Sequence, residues 1–405
     1  MKKLIATILR RQATRFIGKN KPKIIAICGS AGKTSTTQAI ATVLEEQYKL
    51  RKTIKNYNTD LGVPCSIFNR NFPENLYNPF AWLLIFIKNE IQLLKNSSTE
   101  IMVLELGTDK PGEIAEFAWL KPDIAVVTCI SPEHMEFFHT IENVAMEELS
   151  VIKYSGKVFI NDRMVDKKYL TAYSEEASKI TFFNDSNLAK NKIDKNTLNV
   201  IGKQSIQSIS AAIAVASELG MDKSLIRTAV TKVKPQPGRM NLLEGIMDTT
   251  LIDDSYNSSP ITVTAALDYL YSCKAPQRIA LIGNMNELGD TSRQAHIMIG
   301  EYCNPDKLDL VITLGEDANK YTSLSARASG CRVIESDSPY QAASLIEKEL
   351  KEGAYVLFKG SQNGVFAEEA VKMLLKNPED SDKLVRQSVF WKIKKIQTFK
   401  DAPTK

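Results

Sequence analysis

The residues with the clearest chemical capacity are Gly29-Ser30-Ala31-Gly32-Lys33-Thr34-Ser35-Thr36. They follow the apolar run Ile24 to Ile27 and precede a helical pattern, so a glycine-rich turn joins a buried strand to a helix. Glycines at 29 and 32 let backbone N–H groups approach phosphate oxygens, and the helix N-terminus adds positive potential at the same place. The Lys33 ammonium reaches outer phosphates, and the Thr34 hydroxyl, with Ser35 beside it, suits Mg2+. This is the short Gly-x-x-Gly-Lys-Thr form, since Ile27 stands where a longer phosphate loop has its first glycine. The turn predicts an ATP-dependent protein in which Gly29, Ser30, Gly32, Lys33, Thr34 and Ser35 hold ATP with Mg2+.

Elements must position that turn. At 405 residues the chain exceeds one ordinary core, and two domains are expected. Strand-like runs at 101–106, 124–128 and 158–160 alternate with helical stretches, ending in an alanine-rich helix at 208–219. The turn-rich Lys234-Pro235-Gln236-Pro237-Gly238-Arg239 interrupts the pattern, which restarts with runs at 251–252, 279–282, 310–314 and 355–358. The alternation predicts an α/β fold: a P-loop ATPase domain with a mostly parallel sheet, followed by a smaller Rossmann-like α/β domain. The expected divisions are a basic amphipathic helix over 1–20, an ATP-binding domain over 21–236, a second domain over 237–390 and a basic tail over 391–405.

Apolar residues make up 43% of the chain and charged ones 24%, which fits a soluble globular protein. The net charge of +5 is largely local, because Lys2, Lys3, Arg10, Arg11, Arg15, Lys19, Lys21 and Lys23 precede the glycine turn with no acid among them. Nucleic acid is therefore not implied. Six cysteines without a C-x-x-C pair and three separated histidines exclude a zinc site and suggest reduced thiols. The apolar stretch 4–9 is broken by Arg10-Arg11 before it reaches the length of a secretory core, so a cytoplasmic protein is expected. Leu4, Ile5, Ile8, Leu9, Ala13, Phe16 and Ile17 lie on one helical face, which predicts a helix packed on the following domain. Together with the apolar segment 79–94, too short to span a bilayer, it also offers a peripheral membrane contact.

Several strings in order resemble the Mur ligases: residues 28–35, Asn56-Tyr57-Asn58-Thr59-Asp60-Leu61-Gly62-Val63-Pro64, Glu105-Leu106-Gly107, Pro237-Gly238-Arg239, residues 252–260, Gly283-Asn284-Met285-Asn286-Glu287-Leu288-Gly289 and Lys359-Gly360-Ser361. The resemblance implies a two-step amide synthesis, in which ATP phosphorylates a carboxylate and an amine displaces the phosphate. It implies a UDP-muramoyl tripeptide and D-alanyl-D-alanine as substrates, in peptidoglycan precursor synthesis. Bringing two anions together needs fixed cations, for which Lys33 and Arg239 are expected. Thr34 and Glu105 resemble the residues that hold a first Mg2+, and His134 resembles the histidine of a second metal position. Asp254 resembles the ribose-binding residue, with Asn257 or Tyr256 on the adenine side. Asn58 and Thr59, and in the second domain Asn284, Glu287, His296, Lys359 and Ser361, resemble substrate positions.

Two departures from the family pattern are chemically informative. Glu148 stands where most of the family has a lysine that becomes carbamylated, and the expectation is that it supplies a metal-binding carboxylate directly. Gly202-Lys203-Gln204-Ser205-Ile206-Gln207-Ser208 replaces a family string whose asparagine contacts adenine, so base recognition is expected to differ. The resemblance also leads one to expect a UDP-sugar-binding domain before the phosphate loop, where only about twenty residues stand. The competing readings are a ligase of this type for another carboxylate and amine, folylpolyglutamate-like or lipid-linked, and a nucleotide-binding homologue without catalysis. A monomer is expected.

Overall fold

The computed structural model describes residues 2–73 and 75–399. It divides into two compact units, Met1–Ser131 with Thr140–Asn199 and Gln204–Lys234, and Pro132–His139 with Val200–Lys203 and Pro235–Lys405, as far as these are described.

The first unit is built on six strands: β1 (Lys23–Cys28), β2 (Leu50–Lys52), β3 (Ile101–Glu105), β4 (Ile124–Val127), β5 (Lys157–Asn161) and β6 (Ile180–Phe183). Their order is β2-β3-β1-β4-β5-β6 and every pairing is parallel. Residues Ile24 to Cys28 and all of β3 and β4 are buried, which explains their unbroken apolar runs: a parallel sheet is covered on both faces. The first helices of this unit are α1 (Lys2–Asn20), α2 (Lys33–Leu44), α3 (Gly62–Phe68) and α4 (Pro79–Leu94). The expected packing of the leading helix is observed. Ile5 and Leu9 of α1 share a core with Cys65, Trp82 and Ile85, and Phe16 meets Phe68 edge to face at 5.3 Å. The ends of β1, β3 and β4 converge on the glycine turn, where open α/β sheets place their sites.

The second unit has β7 (Asn241–Glu244), β8 (Thr250–Asp254), β9 (Arg278–Gly283), β10 (Leu310–Leu314), β11 (Val333–Ser336) and β12 (Tyr355–Lys359). The order is β11-β10-β9-β12-β8-β7, parallel except for the antiparallel edge strand β7. Alternation along the strands divides the core in two: Ile279, Leu281, Val356 and Phe358 face one side, and Ala280, Ile282 and Leu357 the other.

The expected α/β architecture with a mostly parallel first sheet is thus observed. The short strands β2, β6, β7 and β11 lie outside the expected runs, and the helix expected at 208–219 begins earlier, at Gly202. A helix, Val389–Thr398, crosses the expected start of the basic tail at 391, and residues 400–405 of that tail lie outside the described residues. No described helix is long and apolar enough to cross a membrane.

Candidate active site

The first unit holds the glycine turn. Gly29 has φ 121°, and a Cβ there would strike Thr128 Oγ1 and lie 2.9 Å from the backbone of Cys129, so only glycine fits. Gly32, at φ 82°, opens α2 in the left-handed region. The segment after β4 braces the turn: Ser30 N–H donates to the Cys129 carbonyl at 2.9 Å, Ser131 N–H to Ser30 Oγ at 3.0 Å, and the Thr128 hydroxyl to the Ala31 carbonyl at 2.6 Å. The Lys33 ammonium folds back onto the Gly29 carbonyl at 2.5 Å. Thr34 and Ser35 follow it in the first turn of α2 and are half-buried.

Glu105 closes β3 and is buried. Its Oε1 accepts from Asn58 Nδ2 at 3.1 Å, and Asn58 is itself held by Gly107 N–H donating to its carbonyl at 2.8 Å. Glu105 Oε2 is buried with no hydrogen-bond partner. An anionic oxygen so placed lacks a cation, and it fits the expectation of Mg2+ there. Thr59 is exposed, and its hydroxyl accepts Gly62 N–H at 3.3 Å where α3 begins.

Glu148 lies in the helix Ile141–Leu149 and is 1% exposed, so it is not part of a solvated helix face. Its Oε2 accepts Gly29 N–H at 2.6 Å. The neighbouring Glu147 is also buried but serves another segment, accepting Gly112 N–H at 2.6 Å and Ile114 N–H at 2.7 Å. Burial first, and then the Glu148 charge, push the Cys28 thiol up, so this cysteine stays protonated.

Beside the turn lies a pocket lined by Gly32, Thr36, Thr128, Asn161, Phe183, Gln204 and Gln207 among others. Gln204 Nε2 and Gln207 Oε1 are buried without partners, one donor and one acceptor. In the sequence the string that carries the glutamines stands out only as a departure, and no signal points to Asn161 or Phe183.

In the second unit His134, at φ 48°, stands between two carboxylates, with Nδ1 3.3 Å from Glu287 Oε2 and Nε2 3.4 Å from Glu133 Oε1. Met135 N–H donates to the Glu287 carbonyl at 3.0 Å. Thr34, Glu105 and Glu148 belong to the first unit and His134 to the second. Among the described residues no three His, Cys, Asp or Glu side chains gather to hold a metal.

The turn 237–240 is pinned by the two aspartates that end β8. Gly238 N–H donates to Asp253 Oδ2 at 3.0 Å and Met240 N–H to Asp254 Oδ1 at 3.1 Å. Between them Arg239 lays its guanidinium 4.0 Å over the Tyr256 ring. Asp253 is fully buried, which pushes its carboxyl up to about 6 against the pull of the Ser255 hydroxyl. Asp254 pairs with the buried Lys359 ammonium at 3.0 Å. Burial outweighs their attraction, raising the acid and lowering the amine. Lys359 also donates to the Asn257 carbonyl, while the Asn257 side chain is exposed. Asp254 and Lys359, expected to meet ribose and substrate, thus have their charges engaged with each other.

Asn284 is a knot between strand ends: its Oδ1 accepts Ala318 N–H at 2.8 Å and its carbonyl accepts Ser361 N–H at 3.0 Å. Ser361 Oγ in turn accepts Asn286 N–H at 2.9 Å. His296, expected at a substrate position, sits behind this loop. It is fully buried, with Nε2 accepting Met285 N–H at 3.1 Å and Nδ1 within 2.8 Å of the Ser292 carbonyl, and burial lowers its pKa. It therefore shapes the 284–288 loop from behind.

Comparison with known proteins gives a consistent result. Residues 27–75 and 84–220 match the Mur ligase middle domain, and residues 238–362 match the Mur ligase glutamate ligase domain. The chain is 28% identical over 406 residues to the UDP-N-acetylmuramoyl-tripeptide–D-alanyl-D-alanine ligase of Bacillus subtilis (strain 168), covering 92% of this chain and 80% of that protein. Identity to the Escherichia coli (strain K12) ligase of the same name is 25%, covering 88% and 77%. In fold, the chain resembles the MurF ligase of Thermotoga maritima in complex with ADP, with a TM-score of 0.71 at 22% identity over 93% of this chain and 84% of that one. A folylpolyglutamate synthase of Mycobacterium tuberculosis complexed with ADP and AMPPCP gives 0.61 at 15% identity, covering 91% and 95%.

Proposed function

The chain belongs to the Mur ligase family, and on that premise we propose that it is an ATP- and Mg2+-dependent ligase joining D-alanyl-D-alanine to a UDP-N-acetylmuramoyl tripeptide. The γ-phosphoryl group of ATP passes to the tripeptide carboxylate, giving an acyl phosphate and ADP. The amine of D-alanyl-D-alanine then attacks the acyl carbon, inorganic phosphate leaves, and an amide remains. Mg2+, when bound, neutralises phosphate charge as it develops in transfer.

The chain's own residues supply the rest. The Ala31 and Gly32 amides cradle phosphate, those of Gly29 and Ser30 being engaged by Glu148 and the Cys129 carbonyl, and Lys33, released from the Gly29 carbonyl, places its charge on the outer phosphates. Thr34 and Glu105 would hold the metal, with Glu148 as a further carboxylate of the same unit. A magnesium ion takes few protein ligands beside water and phosphate, which accords with the absence of a ready-made cluster among the described residues. Gln204 and Gln207 offer adenine the donor and the acceptor that its amino edge requires. In the second unit, Arg239 serves as a fixed cation held by Tyr256, and Asn284, Glu287 and Ser361 frame the amine substrate. The same reading has the protein working as a monomer in the cytoplasm, which sedimentation velocity of the full chain checks.

The observation that carries the proposal is the bare Oε2 of Glu105 on the strand beside the glycine turn. The test is phosphate release from ATP with the UDP-tripeptide and D-alanyl-D-alanine, together and apart. Release that needs both substrates and falls about 10²–10³-fold in Lys33→Ala supports it. Release driven by another carboxylate, or ATP binding without turnover, overturns it.

A further inference from the structure

Helix α4 is apolar on two sides. Its inward side, Trp82, Ile85 and Leu93 with the buried Asn89, packs into the unit. Its outward side is a stripe of Phe80, Leu83, Leu84, Ile87, Ile91 and Leu94, all exposed, with Phe80 at 75% and Leu94 at 82%. Their spacing places them on one face along the whole helix, about 24 Å for sixteen residues. Asn78 fixes where the stripe begins, its side chain accepting Phe80 N–H at 3.0 Å. Soluble surfaces rarely carry a contiguous apolar face of this extent without a partner.

Charge identifies the partner. Helix α1 runs beside α4, tied to it by Arg15 on both oxygens of Glu90 at 2.8 and 2.9 Å, by Gln12 on the Phe86 carbonyl and by Lys19 on the Leu93 carbonyl. It contains no acid, and Lys3, Arg10 and Arg11 are exposed on it. Lys88 lies within the α4 stripe and Lys95 at its end, both exposed, while Glu90, the one acid of α4, is already neutralised by Arg15. A second copy of this face would meet the first with the same positive charges. An anionic lipid surface answers both features, taking the apolar stripe below its headgroups and the cations at their level. Part of this layer also lies outside the shared family core: residues 1–26 precede the middle-domain match, and 76–83, where α4 begins, fall in its gap.

We propose that α1 and α4 form an interfacial docking surface that seats the first unit on an anionic membrane without crossing it. Neither helix is long and apolar enough to span a bilayer, so attachment is peripheral, reversible and salt-sensitive. This inference stands apart from the catalytic reading, since none of its residues belongs to the glycine turn or the strand ends.

The test is cosedimentation of the full chain with vesicles of phosphatidylcholine alone and of phosphatidylcholine mixed with phosphatidylglycerol, at low and high salt. Expected is binding to the mixed vesicles that weakens with salt. It should fall about tenfold or more in Leu84→Asp/Ile87→Asp and likewise in Arg10→Ser/Arg11→Ser. Circular dichroism and thermal melting of each variant confirm folding, and the arginine pair, being exposed charge, keeps the test decisive if the α4 pair unfolds. No binding to mixed vesicles at low salt overturns the proposal, as does unchanged binding by folded variants. A concentration-dependent dimer abolished by the α4 substitutions, with no vesicle binding, also overturns it and assigns the face to a second copy.

Discussion

Glu148 accepts the amide hydrogen of Gly29 at 2.6 Å, so a buried carboxylate closes on the first residue of the glycine turn. A buried acid beside a phosphate site is costly unless a cation shares the space. Glu148→Gln keeps an oxygen for Gly29 N–H but removes the charge. If the charge serves metal, ligase turnover falls about 10²–10³-fold in Glu148→Gln and Glu148→Ala alike. Glu148→Lys then recovers activity only when bicarbonate is supplied. Steady-state phosphate release measures all three, and a fully active Glu148→Ala removes the carboxylate from the mechanism.

Gln204 Nε2 and Gln207 Oε1 lack partners in a pocket beside Gly32. A neutral hydrogen bond is worth about 0.5–1.5 kcal/mol, so Gln204→Ala or Gln207→Ala should raise the KM for ATP roughly three- to tenfold and leave kcat nearly unchanged. Discrimination between ATP and GTP should narrow in both. Unaltered nucleotide preference in the double variant would show that the base is recognised elsewhere.

Burial raises the Asp253 carboxyl to about 6, above the value of 3.8 for the free side chain. Between those values the native state holds a proton that the unfolded chain has shed. Stability contributed by this group is therefore greatest below about pH 4 and is lost as pH rises through 6, by up to about 3 kcal/mol. Urea melts across that window should show the slope, and Asp253→Asn should flatten it.

Arg386 donates to both oxygens of the buried Glu368, at 2.9 and 2.7 Å, and to the carbonyls of Ser255 and Tyr256, at 2.6 and 3.0 Å. It thereby fixes the loop whose Tyr256 ring carries Arg239. Arg386→Ala strands Glu368 with only Lys395 at 2.9 Å, and should destabilise the second unit by about 3–5 kcal/mol. Denaturant unfolding monitored by circular dichroism reads the loss, and a change under about 1 kcal/mol would show the ion pair to be dispensable.

How far the sequence discloses all this depends on burial. Central strands β1, β3, β4 and β9 to β10 are buried on both faces and read directly as apolar runs. Strand β2 is Leu-Arg-Lys, half-buried at a sheet edge, and β6, β7 and β11 are likewise edge or near-edge strands of three or four residues, whose composition carries no period. Among site residues, the glycine turn is local and therefore legible. The partners of Glu105, Glu148 and Lys359 come from distant segments, and no spacing rule forecasts them. His296 shows the same limit: nothing in its string signals that the ring is fully buried with both nitrogens engaged.

Strand β1 has a bearing on biosynthesis. Its two neighbours are supplied by residues 101–105 and 124–127, and the braces on the glycine turn come from Thr128, Cys129 and Ser131. Each of these partners, like the Glu148 carboxylate on Gly29 N–H, follows the turn in the chain, so the shape of the turn depends on residues 101–148. Until those residues are made, β1 has two open strand edges and the turn lacks its distant braces. Protection by a chaperone matters most in that interval.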